Sequence, residues 1–347
     1  MLHARDKEIG MRFGESFGKR PDTLMYPREI LELALKEMTS LHASEERWSN
    51  PLALDSRLGK KELEQMRTGW DLVLDIDCKI FEYSRLCAYL VIDFLRYCEV
   101  KDYSIKFSGN KGFHIGVPFE AFPAKVGDVP TKLLFPDAAK KIAYYVRDHI
   151  AGELAKKIMD LEENDFNRVR EKVNLPAEEI IRYTPNQYGD KIPSLNVDKF
   201  LEIDTVLISS RHLYRMPYSL HEKSGLVSLP IDPDTILNFQ KEMAAPELVT
   251  PHFTFLERNV SGETARRLLV QALDYKAKLE EPKERKRNEQ KGYDELVISS
   301  PIKEDFFPPC MKLMLQGIGD GKKRAVFCFS NFLGKIGWNK TQIEDFL

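Results

Sequence analysis

The apolar positions of the chain recur with two different periods, and these predict its elements. Residues 26–40 (YPREILELALKEMTS) place Ile30, Leu31, Ala34, Leu35 and Met38 at helical spacing, with Pro27 suited to a first turn. An irregular, charged stretch follows around Trp48. Residues 71–77 (DLVLDID) alternate like a strand, with Leu72, Leu74 and Ile76 on one face and Asp71, Val73, Asp75 and Asp77 on the other. Residues 83–98 read as a helix with a wide apolar face, 103–108 (YSIKFS) as a strand, and 113–117 as another strand beyond a Gly-containing turn. Strand, helix, strand, turn and strand predict an α/β (α+β) domain around a mostly apolar sheet.

Further along, 137–160, 161–173, 234–243 and 261–279 read as helices, and 201–208 and 226–231 as strands. Residues 276–292 (KAKLEEPKERKRNEQKG) hold many charges, one Pro and no aromatic, so they read as a solvated linker or frayed helix end. Helical periodicity resumes over 309–347, a segment too short for a comfortable domain of its own. The predicted division is 1–275, a charged linker at 276–299, and a helical segment at 300–347. TQIEDFL ends inside a helical pattern, which favours a domain continuing past residue 347.

Composition narrows the class. The 347 residues are 43% hydrophobic, enough for a real core. Lys+Arg is 52 against 54 Asp+Glu, a net charge of −2, which excludes a uniformly basic binder but not local basic patches. Five cysteines without a C-x-x-C pair argue against a disulfide scaffold and a closed zinc knuckle. The first residues carry no apolar signal-peptide core, and no 18-residue apolar window exists, so a reduced, soluble, cytoplasmic protein is expected.

Three segments carry chemistry. Asp75 and Asp77 stand two residues apart on a strand and so project to one face. That face either meets water or gathers a cation, because converging carboxylates are costly unless neutralised. Hard oxygen donors suit Mg²⁺ or Mn²⁺. The second segment is FSGNKGFH at 107–114, where Gly109 and Gly112 allow a tight turn and Ser108, Lys111 and His114 add a hydroxyl, a cation and an imidazole. It reads as a phosphate cradle or as an ordinary hairpin. The third is EIDTVLISSRHLYRMPYSLHEKSGL at 202–226, with Asp204 on a strand, Arg215 able to pair with phosphate, and His221 after a loop shaped by Pro217 and Ser219.

Together the three segments resemble, in order, the motifs of the small catalytic subunit of archaeal and eukaryotic DNA primases, over roughly residues 1–245. The resemblance implies a catalytic core with a mixed sheet flanked by helices. It implies that Asp75, Asp77 and Asp204 are catalytic and bind Mg²⁺ or Mn²⁺. Ser108, Lys111, His114, Arg215 and His221 would hold the nucleotide, with Glu8 and Arg20 as further candidates. Lys111 stands where the family usually has Arg, which keeps the charge but loses the bidentate fork. No structural zinc is expected, since 120–200 contains no cysteine.

FFPPCMKLMLQGIGDGKKRAVFCFSNFLGKIGWNKTQIEDFL also resembles the opening of the C-terminal domain of the primase large subunit, and the helical domain of some plasmid primase–polymerases. Cys310 matches the first of four iron–sulfur ligands, and Cys328 reads as core, so a cluster cannot be completed within this chain. A fused primase is the economical reading, and an archaeal source is suggested by the resemblance alone. The implied activity is synthesis of short primers on a single-stranded DNA template from NTPs or dNTPs by two-metal nucleotidyl transfer, alongside other replication proteins. The alternatives are a primer-extending primase–polymerase, a non-catalytic nucleic-acid-binding subunit, and a metal-dependent phosphohydrolase or nuclease.

Overall fold

Strand pairing around Asp75 organises the larger part of the chain. The structure, a computed structural model, describes residues 4–14, 16–185, 189–204, 208–275, 301–317 and 322–346. The chain divides into two units, Met1–Ala277 and Lys278–Leu347. The first unit opens with β1 (Ile9–Phe13), β2 (Ser16–Phe17), α1 (Arg28–Leu35), β3 (Ser40–Ser44), β4 (Glu46–Trp48), α2 (Lys60–Met66) and β5 (Arg67–Trp70). Its centre holds β6 (Leu72–Cys78), α3 (Phe81–Tyr97), β7 (Ser104–Phe107), β8 (Phe113–Val117), β9 (Lys125–Val126), β10 (Val129–Pro130), α4 (Asp137–Leu161), α5 (Phe166–Val173) and α6 (Ala177–Ile180). Then follow β11 (Ile181–Pro185), β12 (Lys191–Leu195), β13 (Leu201–Ile203), β14 (Leu213–Arg215), β15 (Pro230–Ile231) and α7 (Arg266–Asp274).

The fold is α+β. A five-stranded sheet runs β13-β6-β8-β7-β15 and a four-stranded sheet runs β14-β3-β1-β2. Every described strand pair is antiparallel, where a mixed sheet was expected. The reason is the place of β8. Helix α3 carries the chain from β6 to β7, but the turn after β7 returns β8 into the gap between them. Strand β8 is therefore antiparallel to both neighbours.

Strand β6 is apolar on one side along its whole length. Leu72, Leu74, Ile76 and Cys78 pack with Ile105, Phe107, Phe113 and Ile115 against α3, with α4 behind it. On the other side, Val73 joins a smaller core with Ile9, Leu41, Ala43, Tyr214, Phe255 and Leu256, which seats the four-stranded sheet there. Beyond Val73 this second face opens, and Asp75 and Asp77 occupy the opening.

Several elements depart from the pattern-based reading. The charged stretch around Trp48 is not irregular: β3 and β4 are buried throughout. Their charges are tolerated because they are paired. Arg67 lies 2.6 Å from Glu46, Lys7 lies 2.8 Å from Asp71, and Arg47 binds both Asp71 and Glu120. The expected helix at 234–243 is two 3₁₀ turns, Pro233–Asn238 and Lys241–Ala244, because Ile236 and the extended Phe239 turn inward to the core. Strand β13 stops at Ile203, and of 226–231 only Pro230–Ile231 joins the sheet. Left-handed Glu163 and Asn164 separate α4 from α5, whose N-cap is Asp165. The expected linker at 276–299 lies outside the described residues.

The second unit contains α8 (Pro309–Leu315), α9 (Lys322–Lys335) and α10 (Lys340–Phe346) around Phe307, Phe329 and Leu333. Cys328 was expected in a core. It is exposed, because the inward stripe of α9 falls on Phe329, Phe332 and Leu333, one position away. Cys310 is exposed in the first turn of α8. No described helix is long and apolar enough to cross a membrane.

Leu74 has no exposed surface and sits mid-strand in the larger core. Leu74→Ala is expected to cost about 2–5 kcal/mol of unfolding free energy. Urea denaturation checks this, and a loss below about 1 kcal/mol would contradict the packing described.

Candidate active site

The register of the larger sheet lines up four titratable side chains on its open face. Asp75 pairs with His114, and His114 pairs with Lys106 across β8 and β7. On the other side, the Asp204 N–H donates to the Asp75 carbonyl at 2.8 Å, extending the β13–β6 register by one residue. Directly opposed residues project to the same face. Asp204, Asp75, His114 and Lys106 therefore form one row. Glu202 faces Asp77 in the row beside it.

Two glycines let the neighbouring loop approach. A Cβ on Gly112 would stand 1.7 Å from the Ile76 carbonyl oxygen. Gly109 has φ +101°, and a Cβ there would meet His221 at 2.7 Å. Ser108 closes the turn by donating its N–H to Gly112 O at 2.9 Å and accepting Gly112 N–H on its hydroxyl at 3.3 Å. The loop carrying His221 packs on this turn, with Ser224 Oγ donating to Gly109 O at 2.5 Å. Ser219 Oγ ties the same loop to β3 by accepting the Leu41 N–H at 2.8 Å.

The result is a cavity of about 270 Å³ lined by Asp75, Asp77, Ser108, Lys111, His114 and Arg215, with His42, His212 and His221 around it. Seven of the expected site residues therefore meet in one place. Asp204 does not line the cavity; its N–H bond to the Asp75 carbonyl places it beside Asp75 in the register. Lys111 is exposed at the rim. Arg215 is not a free cation: it donates to Leu220 O at 2.6 Å and to both Glu222 oxygens at 2.9 and 3.3 Å.

Glu8 and Arg20 do not line the cavity. Glu8 is fully buried and accepts from Arg20 Nε at 3.0 Å and from Arg211 at 2.8 and 3.0 Å. Glu46 accepts the Arg211 N–H at 2.5 Å and the Ser210 hydroxyl at 2.9 Å. Glu45 lies 3.4 Å from His212. These three acids anchor the segment that delivers His212 to the cavity. Charged residues from the poorly patterned stretch around Trp48 thus support the site, a role that sequence periodicity could not signal. Lys106 was missed as well, although it is the one charge in the strand YSIKFS and shares the phase opposite to Ile105 and Phe107.

At Asp75 the electrostatics are those of an enclosed carboxylate. Burial pushes Asp75 up to about 7, Lys106 opposes this, and Asp77 and Asp204 add to it. His114 is driven well below its usual range by burial and by the charges of Lys106 and Arg215, so it is neutral. It sits 3.5 Å from Asp75 through Nε2, while its Nδ1 and that of His221 are buried without a hydrogen-bond partner. Unpartnered imidazole nitrogens beside clustered carboxylates fit a site that takes a cation and an anionic ligand together. Asp75 and Asp77 are the hard oxygen donors that could hold a divalent cation, with Asp204 in register beside Asp75. Among the described residues no three acids, histidines or cysteines are drawn together at ligating spacing.

A second cavity, also about 270 Å³, shares Asp77 and Lys111 with the first and is lined further by Lys79, Lys199, Phe200 and Glu202. It places two more cations and one aromatic face on the far side of Asp77.

Comparison with known proteins bears on the same residues. Residues 74–233 match the family described as DNA primase small subunit, a stretch that begins at β6 and ends just after β15. The match supports a primase-type catalytic domain over that stretch. Among solved structures the chain is similar to the polymerase domain of Mycobacterium tuberculosis Ligase D in complex with DNA, at 13% identity and a TM-score of 0.38, covering 71% of this chain and 82% of that one. No curated protein matches the chain.

Gly112→Ala must push β8 from β6, at a cost of about 1–3 kcal/mol; unchanged denaturant stability would contradict the close approach. His42 is held down to about 3 by burial and by Arg215, against an ordinary value of 6.5. The unfolded chain therefore binds the extra proton between pH 6.5 and about 3, and stability falls as pH falls through that window. His42→Gln is expected to remove this part of the acid sensitivity, measured as the slope of Tm against pH; an unchanged slope would contradict it.

Proposed function

We propose that the first unit is the catalytic domain of a DNA-dependent primase, a nucleotidyltransferase that builds short oligonucleotides on single-stranded DNA. The observation that carries this reading is the single row of Asp204, Asp75 and His114 beside a glycine-bearing turn with Ser108 and Lys111. Acids for a cation and donors for phosphate thus share one cavity. The family match over 74–233 contains all of these residues.

In this reading Asp75, Asp77 and Asp204 hold Mg²⁺ or Mn²⁺, which would lower the pKa of the attacking 3′-hydroxyl and offset charge on the departing pyrophosphate. Lys111 and the Ser108–Gly112 turn receive the triphosphate. Neutral His114 and His221 offer ring nitrogens to its oxygens. Arg215, fixed by Glu222, contributes field and shape more than a free ion pair. Glu8 and Arg20 act at a distance, by fixing Arg211 and with it the segment of His212. The second cavity takes the end of the strand that carries the 3′-hydroxyl, with Lys79 and Lys199 near its phosphates and Phe200 as a stacking face. Positioning two anionic substrates on either side of Asp77 is the main contribution of the protein.

The test is incubation with single-stranded DNA, Mg²⁺ or Mn²⁺ and labelled NTPs or dNTPs without a primer. Wild type is expected to make short oligonucleotides, and Asp75→Ala combined with Asp77→Ala to reduce this by roughly 10²-fold or more. Equal product from both proteins would remove the carboxylates from the mechanism. Product only from a supplied primer would favour an extending polymerase. Lys79→Ala with Lys199→Ala should raise KM for a primed template and leave KM for the nucleotide unchanged; the opposite pattern would reassign the second cavity to the nucleotide.

A further inference from the structure

Lys106 has no exposed surface, yet it is a lysine in the middle of the sheet. Its ammonium donates to Ser228 Oγ at 2.8 Å and lies over the rings of Phe255 and Tyr214 at 5.4 and 5.9 Å. Ser228 is itself committed, donating to Phe107 O at 3.1 Å. No described carboxylate lies within ion-pair distance of Lys106. The contrast is Lys7, equally enclosed but 2.8 Å from Asp71 and bonded to two backbone carbonyls. Lys7 has the partners that a buried structural lysine requires. A hydroxyl and two ring faces do not neutralise a charge, so burial draws Lys106 well below the usual lysine range, the Asp75 carboxylate opposes this, and Lys106 costs the fold stability that an apolar side chain would not.

The register says where the charge acts. Lys106 is directly opposite His114, which is directly opposite Asp75, on the face that lines the cavity. We propose that Lys106 is a positioning residue of the nucleotide site: its buried side-chain amine is the cationic group set opposite Asp75 and the phosphates of a bound nucleoside triphosphate, acting across His114 and not by contact with substrate. This rests on the nucleotidyl-transfer reading above. In that setting the charge balance of the row is completed only when the anionic ligand is in place. Lys106 is outside the lining of the cavity, so removing it leaves every contacting group present.

The experiment compares wild type, Lys106→Met, Lys106→Gln and Asp75→Asn, measuring Tm, the affinity for a nucleoside triphosphate in Mn²⁺, and the KM and kcat of incorporation. Lys106→Met is expected to melt at the same or a higher temperature. Its nucleotide affinity should fall roughly tenfold, the scale of one partly screened charge interaction, with KM rising more than kcat falls. Wild-type affinity in folded Lys106→Met would overturn the inference. So would unfolding of both the Met and the Gln variants, which would make Lys106 structural. If wild type itself binds no nucleotide, the nucleotidyl-transfer reading falls and this one with it. If wild type binds, Asp75→Asn does not, and Lys106→Met binds normally, only the role of Lys106 is lost.

Discussion

A one-residue slip between β6 and β8 would carry Asp75 and Asp77 into the helical core and turn Leu74 and Ile76 toward the cavity. Everything functional in the first unit depends on preventing that slip. The core side prevents it by burying Leu72, Leu74 and Ile76 completely. Gly112 prevents it as well, because only a residue without Cβ fits against the Ile76 carbonyl. The same register that satisfies the hydrophobic core sets the acids, the imidazole and the buried lysine in one line. Stability and chemistry are therefore two faces of one strand.

The second sheet does the complementary work. Its apolar part, Ile9, Leu41, Ala43 and Tyr214, packs on Val73 and stops there. Past that point it contributes polar groups, His42 and Arg215, that look across the opening at Asp75 and His114. Behind it lies a set of buried ion pairs, Glu8 with Arg20 and Arg211, Glu46 with Arg67, and Asp71 with Lys7 and Arg47. Such pairs add little net stability compared with apolar packing, but removing one partner from a pair is costly. Through Glu8 and Glu46 they hold the segment of Arg211 and His212 at one position beside the carboxylates.

How much of this was legible in the sequence follows from which forces are local. The alternation of DLVLDID and the glycines of FSGNKGFH are local, so β6, its outward acids and the turn beside it could be read directly. Helix α3 was equally plain from its apolar face. The four-stranded sheet was not: SLHAS alternates, but with only Leu41 and Ala43 as apolar positions over five residues, and ERW of the adjoining β4–β5 pair is buried through charge pairing with Arg67 and Asp71. Glu8, Arg20 and Arg215 were legible as charged residues near the right motifs. Their actual partners, Arg211 and Glu222, are properties of the fold. Lys106 was hidden for the opposite reason: a single charge in a short strand looks like a solvated edge until its neighbours are known. The 3₁₀ turns at 233–244 replaced a helix because two aromatic and aliphatic side chains are drawn inward, a tertiary demand that overrides local periodicity.

In the proposed function these acids and the glycine turn hold a cation and a nucleotide together. Electron–nuclear double resonance on Mn²⁺ bound with a nucleoside triphosphate measures this directly, through ³¹P coupling between the ion and the phosphates. Phosphorus coupling is expected in the wild-type protein, and its loss, with loss of bound Mn²⁺, when Asp75 and Asp77 are both changed to Asn. Mn²⁺ bound with undiminished affinity and coupling in that double variant would contradict it.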